Sequence, residues 1–496
     1  MSHSVGSSVL QSIRPAAALV VLYGVLSGAA AAQGIAAIQN ISSTPFVTGI
    51  TPIIGSRGAV GGIVVDADGV VGRVEQDELD QLRDRWNQLS DSNDGATNVE
   101  TGFRVISLAG LDRALSECLD NGKPISPSMA FLAGLRRIEY VFAVPPGDGM
   151  AHGDVFLAGP GGPWKANEAG EVVGVADGRA VLRLDDLMDA LRKRAEINDR
   201  QISCSIEPTA AGLRQFARVQ ARLRSFNRQA VGAMETAIGP QQVLIRGIDA
   251  DSHFAQVLLS ADYAMKRLAM GFDAAPIDSL PSYMQLLQQH NDRNQLSSPR
   301  WWMASDYEPL RCTTDRLGWQ IRGRRIRTLT QDSLLTAEGM RKTLDQENQL
   351  AQQWADAMTK RFDELSIALP IFAELSNCFD LAVFGALMAR EGLAVRADCQ
   401  FNVLGDASRL QGPRYRVPTS IPSVASTIRG RRGWIVSVSG GVSIDAWTVA
   451  VQTETDDGIA AVRAQAVRTQ AVRTQAVRTQ ADRTQADQGA GQRWWW

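Results

Sequence analysis

One segment dictates what must surround it. From Pro370 to Glu391, the residues Phe372, Leu375, Phe379, Val383, Phe384, Leu387 and Met388 put apolar groups on nearly every side of a helical path. Such a helix has no face suited to water, so other elements must enclose it. The apolar stretch 367–388 also carries Glu374 and Asp380, which a lipid span would exclude at high cost. The reading is a buried helix inside a folded body. Pro370 cannot donate to a continuing helix, so it divides this helix from one expected over 336–365, a helical pair near 336–391.

The opening residues constrain address more than fold. Arg14 precedes the apolar-and-small run AAALVVLYGVLSGAAAA, which closes on Ala30-Ala31-Ala32 before Gln33. A basic start, a hydrophobic stretch and small residues at a cleavage position form the pattern of a secretory signal peptide. The expected leader is 1–32, with the mature chain starting near Gln33. The run falls short of the about 20 residues of a comfortable membrane span. No later segment is long, apolar and uncharged, so no transmembrane span is expected once the leader is gone.

Beyond the leader, strand and helix patterns alternate. Asp66–Gly69 joins two β-branched runs as a hairpin turn, and Asp66-Ala67-Asp68 lacks the further ligands of a calcium loop. Helices are expected at 76–89, 108–119, 127–136, 185–195, 209–228, 252–270 and 281–290. Strands are expected at 138–144, 154–158, 172–176, 202–206 and 243–248, again over 300–335, and at 434–439 and 442–451 around a Gly440-Gly441 turn. This is an α+β chain in two or three packed parts, with boundaries at 33–137, 138–300 and 301–460. Residues 461–496 hold a five-residue repeat, AVRTQ in its commonest form. Five residues advance a helix by roughly 140° beyond a full turn, so its arginines spiral without a continuous face. A disordered tail is the expectation.

Charge narrows the partners. The net charge is −2, but the tail carries six arginines against Asp482 and Asp487, which leaves an acidic body. Nucleic-acid binders usually show a basic domain, so no nucleic-acid partner is expected. The five cysteines, Cys118, Cys204, Cys312, Cys378 and Cys399, have no metal or redox spacing and read as free thiols, with Cys378–Cys399 the one bridge to consider. His152, His253 and His290 stand apart with no H-x-x-x-H spacing. No metal and no cofactor is expected. AGPGGPW at 158–164 lacks the Lys-Ser/Thr of a phosphate loop and reads as a turn, and Asp262-Tyr263-x-x-Lys266 reads as an ordinary helix.

Arginine is the least ordinary feature. Arg214, Arg218, Arg222, Arg224 and Arg228 span one arc of the helix expected at 209–228, opposite Phe216, Val219, Leu223 and Phe226. No acid lies between Glu207 and Glu235, so no i,i+4 pair can neutralise that arc. Arg322, Arg324 and Arg325 repeat the pattern of Arg429, Arg431 and Arg432, each set placed at an expected hairpin tip. If these elements converge, they form a groove for carboxylate, sulfate or phosphate groups. A second reading places a glycan hydrolase at Asp306 and Glu308, beside Trp301 and Trp302, with two carboxyls working as a pair.

Several strings occur together: GGIVVDADGVV, DVFLAGPGGPW, GRAVLRLDDLMDALR, ISCSIEPTAAGL, HFAQVLLSADYAMKRLAMG, PRWWMASDYEPL and the Asn377–Ala382 helix. Over about 60–395 the chain resembles a family of exported planctomycete bacterial proteins classed as a domain of unknown function. That resemblance implies a secreted, periplasmic or envelope protein of a bacterium and assigns no reaction. The repeat tail departs from it. The combined expectation is an exported, non-enzymatic protein that binds anionic polysaccharide or envelope components, with the hydrolase as alternative.

Overall fold

The computed structural model describes residues 97–147, 150–167, 170–193, 201–222, 228–290, 298–335, 341–343, 348–423, 425–428, 434–436, 439–481 and 493–496, with short strands at 21–22, 63–65 and 71–73. Strand Ile63–Val65 pairs antiparallel with Val71–Arg73, the hairpin expected there. The turn between them, the leader apart from 21–22, and the helix expected at 76–89 lie outside the described residues.

Strand β1 (Thr101–Ser107) runs into helix α1 (Leu108–Asp120), where the Ser107 hydroxyl caps the first turn by accepting from Gly110 N at 2.8 Å. Leu108, Leu111 and Leu115 bury its inner face. Ser126 caps the next helix with Pro127 in its first turn as expected, but that helix stops at Ala130. A tight turn follows with Leu132 and Ala133 at positive φ (43° and 51°), so the helix expected to 136 is cut short. Strands β2 (Tyr140–Val144) and β3 (Asp154–Gly161) precede helix α2 (Leu184–Lys193). Next come β4 (Ile202–Pro208), α3 (Ala210–Arg222), α4 (Arg228–Ile238) and β5 (Gln241–Arg246). The single helix expected at 209–228 thus gives way to a pair.

Helix α5 (His253–Met270) starts at Ser252, whose hydroxyl accepts from Ala255 N at 3.0 Å, and ends at Gly271 with φ 67°. Positive φ suits glycine as a helix stop. Helix α6 (Tyr283–His290) follows, then β6 (Ser298–Tyr307), β7 (Leu310–Cys312), β8 (Gly318–Gln320), β9 (Gly323–Leu335) and β10 (Arg341–Thr343). The helix expected from 336 is corrected here. Arg341–Thr343 pairs with β9, and Asn348 caps α7 (Gln349–Lys360), which short α8 (Phe362–Ala368) continues.

Helix α9 (Ile371–Glu391) is the apolar helix after Pro370, buried along almost its whole length and ended by Gly392 at φ 60°. It packs against α2, α5, α8 and α10 (Ala446–Val451). Each large apolar side chain enclosed this way contributes about 1.5–3 kcal/mol.

Two large sheets flank these helices. The six-stranded sheet has the order β13-β7-β8-β2-β3-β1, where β13 is Thr453–Thr455. The seven-stranded sheet runs β10-β9-β6-β12-β4-β5-β11, where β11 is Ser420–Ile421 and β12 is Ser439–Ile444. Here Gly440-Gly441 is no turn but the second and third residues of β12, parallel to β6 and antiparallel to β4. A Cβ at Gly440 would lie 1.7 Å from Trp301 O, and one at Gly441 2.1 Å from Cys204 O. Both neighbouring backbones crowd the strand there, which is why two glycines sit side by side.

Helix α11 spans Gly458–Ala481 and takes in the start of the repeat. Ile459, Ala466 and Val467 pack on Val105, Phe142 and Phe156, and Arg463 pairs with Asp315 at 2.7 Å. Residues 482–492 lie outside the described residues. Trp496 N and O bond Val105 O and N at 2.9 and 2.7 Å, and Ser107 N donates to Trp494 O at 2.8 Å. All five cysteines are free thiols.

Candidate functional site

The arginines and acids singled out from sequence fall in three places. Arg322, Arg324 and Arg325 lie where β9 starts against the end of β6, not at a hairpin tip. The actual tip is 313–317, between β7 and β8. Gly323 (φ 115°) lets the chain cross close to Tyr307. The candidate carboxylates meet these same arginines: Glu308 pairs with Arg322 at 2.9 Å and Asp306 with Arg324 at 3.5 Å. Arg325 turns inward at φ 79° to lie 3.7 Å from buried Asp380, which accepts the Tyr307 hydroxyl at 2.8 Å. Burial pushes the Tyr307 phenol well above its ordinary range, with the Asp380 charge adding to it. Trp301 is core, its Nε1 donating to Ala351 O, and Trp302 stacks under Arg300, which pairs with Glu207 at 2.7 Å.

Arg214, Arg218 and Arg222 behave differently. They lie exposed along one face of α3, four residues apart, while Phe216 and Ala217 are buried beneath. Arg218 donates to Gln215 Oε1 at 3.3 Å, and none of the three forms an ion pair among the described residues. Arg228 opens α4, its side chain outside the described residues, as are Arg429, Arg431 and Arg432.

A second constellation is invisible in the sequence. The first turns of α2, α5 and α9 bring together Asp185 and Asp186, His253, and Glu374. Helix N-termini favour negative charge, which accounts for acids at two of these three starts. Arg183 grips Asp185 with two bonds of 3.0 and 2.9 Å and also donates to Tyr415 Oη at 2.9 Å. His253 Nδ1 donates to Asp186 at 3.0 Å, and its Nε2 lies 4.0 Å from Glu374 Oε2. The Tyr415 ring meets the imidazole edge-on, centroids 5.1 Å apart. Glu374 Oε2 is buried and accepts no hydrogen bond among the described residues.

Charge in this cluster is uneven. Burial alone would raise Asp185, but Arg183 holds it well below the usual carboxylate range. Burial and Arg183 would lower His253, yet Asp186 and Asp185 keep it raised. Burial raises Glu374, and burial together with the Glu374 charge raises neighbouring Glu171. Asp189 is pushed up to about 8 by burial and by Asp186 and Asp185. An imidazole fixed through one nitrogen, facing an unsatisfied carboxylate through the other, can hold a proton or ligate a cation. His253 looks solitary in the sequence because its partners lie far away along the chain.

A second buried pair lies deeper. Lys266 Nζ donates to Asp262 at 2.7 Å and to Gly440 O at 3.3 Å, so the Lys266 beside Tyr263 ties α5 to β12. The helix start at His253, the Asp262–Lys266 pair and the arginine face of α3 lie within one stretch of chain. That stretch has a match. A family model described as "Protein of unknown function (DUF1598)" covers residues 204–283. No curated protein and no solved structure matches the chain. The domain description names no ligand and no reaction.

Proposed function

We propose that the protein is an exported, non-enzymatic binder of anionic polysaccharide, which it engages along the exposed face of α3. The observation that carries this reading is the stripe of Arg214, Arg218 and Arg222, exposed and without an ion pair among the described residues, on a chain with an acidic body. Successive arginines stand about 6 Å apart along the helix axis, a ladder suited to a polymer with regularly repeated carboxylate or sulfate groups. Guanidinium forks bind such groups through paired hydrogen bonds. The acidic remainder repels a polyanion, which favours engagement at α3. The leader pattern before Gln33 supports export and an envelope or extracellular setting.

Dextran sulfate is the direct probe, with neutral dextran as control. Wild type binds the sulfated polymer in a salt-sensitive way, and R218E/R222E weakens it at least about tenfold, with circular dichroism unchanged. Equal binding by the variant removes α3 from the reading. Recovery of the protein from its own cells with Met1 attached removes the export.

A further inference from the structure

The buried cluster at the starts of α2, α5 and α9 has the components of a metal site. Asp185, Asp186 and His253 bring ligand atoms within 4.8 Å of one another, yet that trio is not the best set. Both Asp185 oxygens are taken by Arg183, and Oδ1 accepts Asp186 N at 3.2 Å as well. His253 Nδ1 is taken by Asp186. The free coordinating atoms lie on the other side of the ring. Once Nδ1 carries the hydrogen for Asp186, Nε2 presents its lone pair toward Glu374 Oε2, 4.0 Å away and without a hydrogen-bond donor among the described residues.

Metal-bound histidines commonly hand their second ring nitrogen to a carboxylate, which fixes the tautomer and strengthens the ligand. Asp186 stands in that position. Two ligands about 2.1 Å from a tetrahedral zinc ion lie about 3.4 Å apart, so His253 and Glu374 need to close by only a fraction of an ångström. Glu374 is nine-tenths buried, and an acceptor so placed without a partner needs either a proton or a cation.

We propose that His253 Nε2 and the Glu374 carboxylate bind a divalent first-row metal ion such as Zn2+, with Asp186 orienting the imidazole. An imidazole nitrogen beside a carboxylate suits such an ion better than Ca2+ or Mg2+, which prefer all-oxygen sets. This site is independent of the α3 face, which lies on a separate helix.

Co2+ serves as the probe because its visible absorption reports coordination. The full chain is stripped with chelator and titrated with Co2+, with metal content measured after gel filtration. The expected result is one equivalent per chain, a visible band, and an affinity weakened at least tenfold in E374Q and 10- to 100-fold in D186N. Val395→Ala, at an exposed position used by neither site, is the control and leaves binding unchanged. Glu374→Gln preserves size, so it remains informative should H253A fail to fold. A wild-type chain that retains no Co2+, or a folded E374Q chain that binds it as tightly as wild type, overturns the site.

Discussion

Asp112 shows how one side chain can organise a distant loop. It lies in α1, is buried, and accepts three backbone N–H groups from Asn402, Val403 and Leu404 at 2.8–2.9 Å. Asp112→Ala leaves those donors without a partner in the interior. We expect a loss of about 3 kcal/mol, checked by urea denaturation. Asp154 gives a pH test. It is 3% exposed, accepts from the Ser107 hydroxyl and Ala109 N, and burial still raises it to about 6. The native state therefore keeps a proton between about pH 4 and 6 that the unfolded chain has lost. Stability from this group is complete below about pH 4 and falls as pH rises through 6, by about 1.4 kcal/mol per pH unit at most. Asp154→Asn removes that slope, seen as a smaller change in urea midpoint between pH 4.5 and 6.5 than in wild type.

Elements differ in how openly the sequence announces them. Helix α9 is legible because its apolar residues leave no wet face, and α5 because Ser252 and Gly271 mark its ends. Strand β12 is hidden for the opposite reason, since a Gly-Gly pair usually signals a turn. Its glycines answer to neighbours from far along the chain, Trp301 and Cys204, and no local pattern reports them. Gly440→Ala would drive a methyl group into the backbone of β6 at a position with φ 124°. We expect a loss of about 3 kcal/mol or more, visible as a thermal shift of several degrees or as insoluble expression. The 336–348 stretch misleads similarly. Its composition permits helix, and only pairing with β9 makes Arg341–Thr343 a strand.

Across the whole molecule, one hydrophobic core joins α1, both large sheets, the central helices and the tryptophans near the C-terminus. Local periodicity conveys the α+β class, but not which residues meet. Asp306, Glu308, Arg322 and Arg324 are each noticeable alone, and their mutual pairing follows from β6 and β9 lying side by side. Asp186, His253 and Glu374 carry no spacing signal, because three helix starts from separate stretches meet there.

The backbone bonds between Val105, Ser107 and residues 494–496 have a further consequence. An outermost β-strand with unused amide and carbonyl groups is a template on which another chain can add itself. Along β1 that template is filled from within the same chain, with Trp495 beneath Arg104 and Trp496 edge-on to Phe156. A run of tryptophans that looks adhesive on paper thus shields this flank of the six-stranded sheet from strand-to-strand self-association.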